Sequence, residues 1–158
     1  QLNLIDFGGS LGSTYFQNRN FLADLNNLKW NIVEQSHFVE CGQQFVQDDI
    51  IKFYYTIDEA LLENKCNVLV LSSVLAYFEE PYKLIEKCIQ YGFDYIIIDR
   101  TAFIESDKDR ITVQIVPDFI YKASYPSWFF TNSSLKSLNA ILEKLTRCLI
   151  NSSTTALS

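Results

Sequence analysis

The sequence predicts a single α/β domain, built on a doubly wound and mostly parallel sheet with helices on both faces. Short apolar segments alternate with helical segments five times within the first 100 residues, which is the pattern of such a sheet. Residues 67–71, NVLVL, are apolar throughout, as expected of a strand that is buried on both faces. The 158 residues, of which 48% are hydrophobic, are enough for one domain with a sizeable core.

Each strand is predicted from a short apolar or β-branched segment, and each helix from helical spacing or from its end signals. Phe21, Leu25 and Leu28 recur at helical spacing in the first helix. Pro81 and Gly92 bound the fourth helix, as is typical of those two ends. The predicted strands are residues 2–7, 30–33, 51–55, 67–71 and 95–98. The predicted helices are residues 13–28, 36–47, 58–64 and 81–92.

The alternation stops after Arg100. Residues 112–122 are predicted to be extended chain that is interrupted at Pro117, and residues 124–130, SYPSWFF, to be an aromatic loop or an extended segment. Apolar residues 135, 138, 141, 142, 145 and 149 are spaced as in an amphipathic helix, which we expect to complete a domain of residues 1–150. Residues 151–158 are predicted to be a polar tail.

Composition and charge narrow the classes of function. The formal net charge is −6 and no basic run is present, which argues against a nucleic-acid partner. No apolar segment approaches the ~20 residues of a membrane-spanning helix, and the N-terminus is not signal-like, so we expect a cytoplasmic protein with reduced cysteines. His37 is the only histidine and the four cysteines are far apart, so we expect no metal site.

The most informative motif is the segment IDFGGSLGS, residues 5–13, which follows the first predicted strand. Ligands of open α/β sheets bind beyond the carboxyl ends of the strands, and glycines let the backbone approach them closely. The dinucleotide pattern GxGxxG fails in both possible registers. The pattern acidic-x-Gly-x-Gly-x-Gly fits at Asp6, Gly8 and Gly12, with Ser10 in place of the middle glycine. This resembles the first motif of class I S-adenosylmethionine (SAM) methyltransferases.

The resemblance implies a SAM site at the carboxyl ends of the strands. SAM carries a sulfonium and an α-ammonium, so Asp6 is expected to bind its amino-acid end, directly or through water. Glu34 ends the second strand, 22 residues after Gly12, where a carboxylate accepts hydrogen bonds from both ribose hydroxyls. Ser72 and Ser73, which end the fourth strand, are expected either to hydrogen-bond to the methionine part of SAM or to let the strand pack closely. The predicted cofactor-binding residues are Asp6, Gly8, Gly9, Ser10, Gly12, Glu34, Gln35, Ser72 and Ser73.

The predicted acceptor-side residues are Asp99, Arg100 and Tyr125. A buried strand rarely ends in a charged pair without a use for it, and arginine binds carboxylates and phosphates bidentately. The alternative is an ion pair that anchors the loop. Tyr125 and Trp128 are expected either to wall an acceptor pocket or to cap the sheet. Asp99, Tyr125 and His37 are, in that order, the candidate general bases.

A wider resemblance covers residues 2–130 and is carried by six segments. They are LIDFGGSLGSTYFQ, WNIVEQ, LSSVLAYFEEP, YIIIDRT, RITVQIVP and IYKASYPSWFF. They are similar to a family of bacterial methyltransferases whose members are often found near polysaccharide biosynthesis genes. The resemblance implies a Rossmann-like fold of the class I SAM-methyltransferase type, and methyl transfer to a small molecule or a saccharide.

Two departures keep other hypotheses open. Such a fold normally ends in an antiparallel strand pair, and nothing strand-like follows Ile150. Either that pair is incomplete, or residues 112–130 take part of its place. Together with Ser10 in the glycine motif, this leaves a degenerate module that binds SAM or a partner without turnover as the alternative. A nicotinamide-dependent oxidoreductase is a third hypothesis, which the missing GxGxxG disfavours.

Overall fold

The protein is described by a computed structural model, which covers residues 2–120, 122–134 and 147–150. The strands, in chain order, are β1 (Leu2–Phe7), β2 (Leu28–Val33), β3 (Ile51–Tyr54), β4 (Val68–Ser72), β5 (Tyr95–Asp99), β6 (Phe103–Ile104), β7 (Arg110–Ile115), β8 (Ser124–Thr131) and β9 (Arg147–Ile150). The helices are α1 (Ser13–Leu22), α2 (Ser36–Phe45), α3 (Ile57–Glu63) and α4 (Pro81–Gln90). A short 3₁₀ turn, Leu75–Tyr77, follows β4.

The larger sheet has the strand order β3-β2-β1-β4-β5-β9, and all of its described pairings are parallel. The chain adds β2 and β3 on one side of β1 and then returns to add β4 on the other side. The order therefore switches between β1 and β4, where parallel sheets leave a crevice at their carboxyl ends. We call the edge at which β1, β4 and β5 end the carboxyl edge.

Both faces of this sheet are buried. Ile5 of β1 packs with Ile57 of α3 and Ile85 of α4 on one face. Leu4, its neighbour along β1, packs with Val39 of α2 on the other face, against which Tyr15, Leu22 and Leu11 also lie. This double burial explains why the strands are apolar without alternation. The predicted parallel α/β architecture with helices on both faces, a Rossmann-like fold, is confirmed.

Two predicted helix ends are wrong. The first helix ends at Leu22, and Leu28 begins β2, where it pairs with Leu2 of β1. Phe21, which helical spacing placed on the apolar face, is 87% exposed. The last predicted helix does not reach residue 149, because Arg147–Ile150 pairs with β5 and satisfies that strand's outer edge. Residues 135–146 and the predicted tail at 151–158 lie outside the described residues.

The segment after Arg100 forms a separate, smaller sheet of order β6-β8-β7. Within it β7 and β8 pair antiparallel, so the extended structure predicted at residues 112–115 and 124–130 is confirmed, whereas residues 118–120 form a turn after Pro117. This pair does not join the larger sheet, in which the strand beside β5 is the parallel β9. The segment 112–130 therefore does not replace the C-terminal strand pair of the larger sheet that the resemblance implies.

Among the described residues, no helix is long and apolar enough to cross a membrane. Within the same ranges, no group of three or more histidine, cysteine or acidic side chains is placed to hold a metal ion. The thiols of Cys41, Cys66 and Cys88 are free, and burial raises the pKa of Cys66 to about 11 and that of Cys88 to about 12. Buried thiols of this kind act as small apolar side chains and are not reactive.

Candidate functional site

Backbone strain is concentrated at the carboxyl edge. Three non-glycine residues of the described chain adopt left-handed φ angles: Ser10 at 52°, Ser73 at 55° and Arg100 at 49°. They follow β1, β4 and β5 respectively. Such conformations cost about 1–3 kcal/mol each and cluster at functional sites. The strain therefore points to the edge at which the sequence motifs also lie.

Residues 8–12, which we call the glycine turn, connect β1 to α1. Gly8 has a φ of 73°, and a Cβ there would lie 2.5 Å from Cγ2 of Val74, which follows β4. A Cβ on Gly9 would lie 2.6 Å from Cγ of Asp6. Ser10 stands where the methyltransferase motif has its middle glycine, and it adopts the left-handed conformation that glycine would supply. The serine therefore does not prevent the turn.

Asp6 lies beneath the glycine turn and is fully buried. Its Oδ2 accepts a hydrogen bond from Trp30 Nε1 at 3.0 Å, whereas Oδ1 has no hydrogen-bond partner among the described residues. Burial raises the pKa of Asp6 to about 6, the Trp30 hydrogen bond and the charge of Arg100 oppose that rise, and the charge of Glu34 adds to it. A ligand on the outer side of the turn would interact electrostatically with the charge of Asp6 but would not contact its carboxylate.

Glu34 directly follows β2 and lies next to Ser10 of the glycine turn. Its Oε1 accepts a hydrogen bond from the Ser10 N–H at 3.2 Å, and its Oε2 accepts one from the Gln35 N–H at 2.7 Å. A carboxylate offers about four acceptor positions, so two positions are left for a ligand. The backbone thus holds Glu34 in one orientation at the rim of the turn.

A cleft of about 630 Å³ opens beside Glu34, at the ends of β1, β2 and β4. Its volume falls within the range of small-molecule and cofactor sites. Of the predicted cofactor residues, Gly8, Glu34, Gln35 and Ser73 line it. Its other lining residues are Phe7, Val33, Tyr55, Val74, Tyr77, Phe78 and Glu79. The site is a mostly apolar slot with a fixed carboxylate at its rim.

Arg100, Asp99, Ser72 and Thr14 form a second polar group, which we call the arginine cluster. Arg100 Nε donates to Ser72 Oγ at 3.0 Å and lies 3.6 Å from Asp99 Oδ2. Arg100 Nη2 donates to Thr14 Oγ1 in the first turn of α1, at 3.2 Å. The predicted residues Ser72, Asp99 and Arg100 are therefore brought together, and α1 completes the group.

Tyr125 lies elsewhere, next to the cleft. Its ring meets the cleft residue Tyr77 edge-on, with ring centroids 5.4 Å apart. Trp128 Nε1 donates to the Phe78 carbonyl at 3.0 Å, and its ring stacks on Phe130. The smaller sheet is thereby fixed against the segment after β4. Trp128 acts as an anchor of that contact, while Tyr125 borders the cleft.

His37, the third candidate base, is exposed on α2, and its ring packs on Phe38 at 4.3 Å. Three further residues of the site, Tyr55, Val74 and Thr14, were not predicted from the sequence. Tyr55 and Val74 follow the ends of β3 and β4, so their position after a parallel strand was an available signal. No local signal marked Thr14, because its partner Arg100 is 86 residues away.

Comparison of the chain with protein-family models, with curated proteins and with solved structures finds no match. Function is therefore inferred from the site itself.

Proposed function

We propose that the protein is a SAM-dependent methyltransferase that acts on a small-molecule or saccharide acceptor. The observation that carries this proposal is the placement of Glu34, which is fixed by Ser10 N–H of the glycine turn at the rim of the cleft. This is the switch point of the sheet, where α/β proteins bind nucleotide-like ligands. A carboxylate in that place accepts hydrogen bonds from the two hydroxyls of a ribose.

The charges around the turn favour a cationic cofactor over a phosphorylated one. Asp6 lies under the turn and Glu34 at its rim, and the pKa of Asp6, about 6, leaves it mainly ionised above neutral pH. The Asp6 carboxylate would repel a pyrophosphate placed on the turn, since like charges at short range are costly, and it would attract a sulfonium and an ammonium. Glu34 does not separate the two cofactors, because a carboxylate at that strand end also binds the adenosine ribose of a dinucleotide. This electrostatic difference supports SAM over a nicotinamide dinucleotide.

The residues present fit this cofactor. Gly8 has no side chain where a Cβ would lie 2.5 Å from Cγ2 of Val74, which leaves room for a ligand at the cleft wall, and the buried Asp6 places negative charge beneath the turn without contacting the ligand. When bound, SAM supplies an activated methyl group on a sulfonium. The chain's own contribution is to hold the ribose through Glu34, to align the acceptor and to exclude water.

Tyr77 lines the cleft, and Tyr125 packs edge-on against the Tyr77 ring. Aromatic faces suit both a cationic sulfur and the apolar face of a sugar ring. A hydroxyl acceptor would lose its proton to solvent as the methyl group is transferred, and we propose Tyr125 as a group that would bind that hydroxyl. The aromatic pair, rather than the arginine cluster, is therefore the proposed acceptor side.

Isothermal titration calorimetry with S-adenosylhomocysteine (SAH), SAM and NAD tests the proposal. We expect the adenosyl ligands to bind and NAD not to bind. Glu34→Gln removes the charge that holds the ribose and should weaken SAH binding by about tenfold or more. Glu40→Gln, on the exposed face of α2, is the matched control and should bind like wild type. Binding of NAD in place of SAH, or no SAH binding by the folded chain, would overturn the proposal.

A further inference from the structure

The ion pair in the arginine cluster is loose and open to solvent. Arg100 Nε and Asp99 Oδ2 are 3.6 Å apart, and the two side chains are 43% and 29% exposed. An exposed pair at this distance contributes little to stability. Arg100 also adopts a left-handed φ of 49°, a conformational cost that this weak ion pair alone does not offset.

The guanidinium is nevertheless held firmly from two sides. Nε donates to Ser72 at the end of β4, and Nη2 donates to Thr14 in α1. Its charge also reaches Asp6 beneath the glycine turn. Glu34 contacts Ser10 near the start of the segment that runs from the turn into α1, and Arg100 contacts Thr14 further along it. A ligand lying along the turn would meet Glu34 at one end and the arginine cluster at the other.

Resting on the function proposed above, we infer that Arg100 and Asp99 bind the amino-acid end of the cofactor, the guanidinium taking the α-carboxylate and the aspartate the α-ammonium. A cation and an anion side by side match a zwitterion, whose two charges are on adjacent groups. A purely anionic acceptor would meet Asp99 beside Arg100 and be repelled by it. The guanidinium also has the planar donor geometry that binds a carboxylate bidentately.

Two ligands that differ only in the amino-acid tail isolate this contact. SAH carries the tail, and 5′-methylthioadenosine is the same thioether nucleoside without it. In calorimetric titrations, Arg100→Gln should weaken SAH binding by about ten- to a hundredfold, as expected when a charge-assisted hydrogen-bonded pair is lost. It should leave 5′-methylthioadenosine binding within about twofold of wild type. Asp99→Asn should show the same selectivity with a smaller loss.

The unchanged affinity for 5′-methylthioadenosine also reports that the variant is folded. Arg110→Gln, which changes an exposed arginine of β7, is the matched control and should alter neither affinity. Equal losses for both ligands would show that Arg100 only shapes the turn, and unchanged SAH binding would show that Arg100 does not contact the amino-acid end. Either result overturns this inference while SAM binding stands. A folded wild type that binds neither ligand would overturn the proposed function and this inference together.

Discussion

The polar groups at the two ends of the larger sheet's strands differ in how completely they are hydrogen-bonded. Near the amino ends of β1 and β4, Asn3, Asn31, Asn64 and Asn67 form what we call the asparagine network. Asn31 Nδ2 donates to Asn3 Oδ1 at 2.9 Å and to the Leu4 carbonyl at 2.8 Å, and Asn67 Oδ1 accepts from the Asn3 N–H at 3.0 Å. At the carboxyl edge, Asp6 is equally buried but has one oxygen without a hydrogen-bond partner in the described part of the chain.

We infer from this difference that the asparagine network is structural and that the carboxyl edge is arranged for a ligand. The asparagine network is neutral and internally hydrogen-bonded, so its burial costs little and it ties the segment before β4 to β1 and β2. The carboxyl edge instead combines a buried charge, three left-handed residues and a cleft. An unsatisfied buried polar group lowers stability. Such a cost at a cleft is typical of a site shaped for a ligand.

The largest effect is expected from two glycines with the same backbone conformation. Gly8 and Gly92 both have a φ of 73°, but only at Gly8 would a Cβ meet a neighbour, Val74 Cγ2 at 2.5 Å. Gly92→Ala should lower the free energy of unfolding by about 1–2 kcal/mol. Gly8→Ala should lower it by about 2 kcal/mol more, and should also weaken SAH binding because Val74 lines the cleft. Urea denaturation and calorimetry measure the two quantities.

If the two alanine substitutions lowered the free energy of unfolding equally, the Val74 side chain would be able to move away from a Cβ at residue 8 without a cost in stability. In that case the close approach of the glycine turn to the cleft wall would not be a constraint.

The next largest effect is the pH dependence that comes from Asp6. Its folded-state pKa of about 6 lies above its ordinary value of 3.8, so the folded state binds the proton more tightly. The free energy of unfolding should therefore fall as the pH rises from about 4 to about 6, by up to about 3 kcal/mol, and stay lower above that range. Asp6→Asn removes this contribution. The free energy of unfolding of Asp6→Asn, minus that of wild type, should therefore increase as the pH rises from about 4 to about 6.

Urea denaturation of both proteins between pH 4 and pH 8 gives this difference directly. Parallel pH profiles for wild type and Asp6→Asn would contradict a buried, weakly hydrogen-bonded carboxylate.

A smaller loss of stability is expected in the asparagine network. Asn31→Ala removes the amide donor to the Leu4 carbonyl and leaves Asn3 Oδ1 with the weak donor Cys66 Sγ, and should lower the free energy of unfolding by about 2 kcal/mol. SAH affinity should not change, because the network lies away from the cleft. Asn20→Ala, at an exposed position of α1, is the control and should change neither quantity. A loss of SAH affinity in Asn31→Ala would contradict the conclusion that the asparagine network stabilises the fold and the carboxyl edge binds the ligand.

Local sequence signals were enough for β1 to β5 and for part of the candidate site, but not for β9, which helical spacing had assigned to a helix. Apolar runs such as NVLVL defined the strands, and residues directly after the strands, Gly8 and Glu34, could be selected because parallel strands end at one edge. Leu28 was assigned to a helix because its spacing from Leu25 is helical, whereas its partner is Leu2 of β1. Strand pairing of this kind is not visible in local periodicity.

The separation of the predicted acceptor residues could not be foreseen either. Asp99 and Arg100 follow β5, and Tyr125 lies on the smaller sheet. The tertiary contacts of Arg100 with Thr14 and of Tyr125 with Tyr77 decide which group each residue joins. The burial of Asp6 likewise depends on Gly9 and Trp30, which close over it from two different elements.

The most direct test of the central claim, that the carboxyl edge binds SAM, is a crystal structure of the protein with SAH. We expect the ribose hydroxyls to lie within hydrogen-bonding distance of the Glu34 carboxylate, with the nucleoside in the cleft beside Gly8. An adenosyl group bound away from the cleft, or a cleft that stays empty at saturating SAH, would contradict the claim.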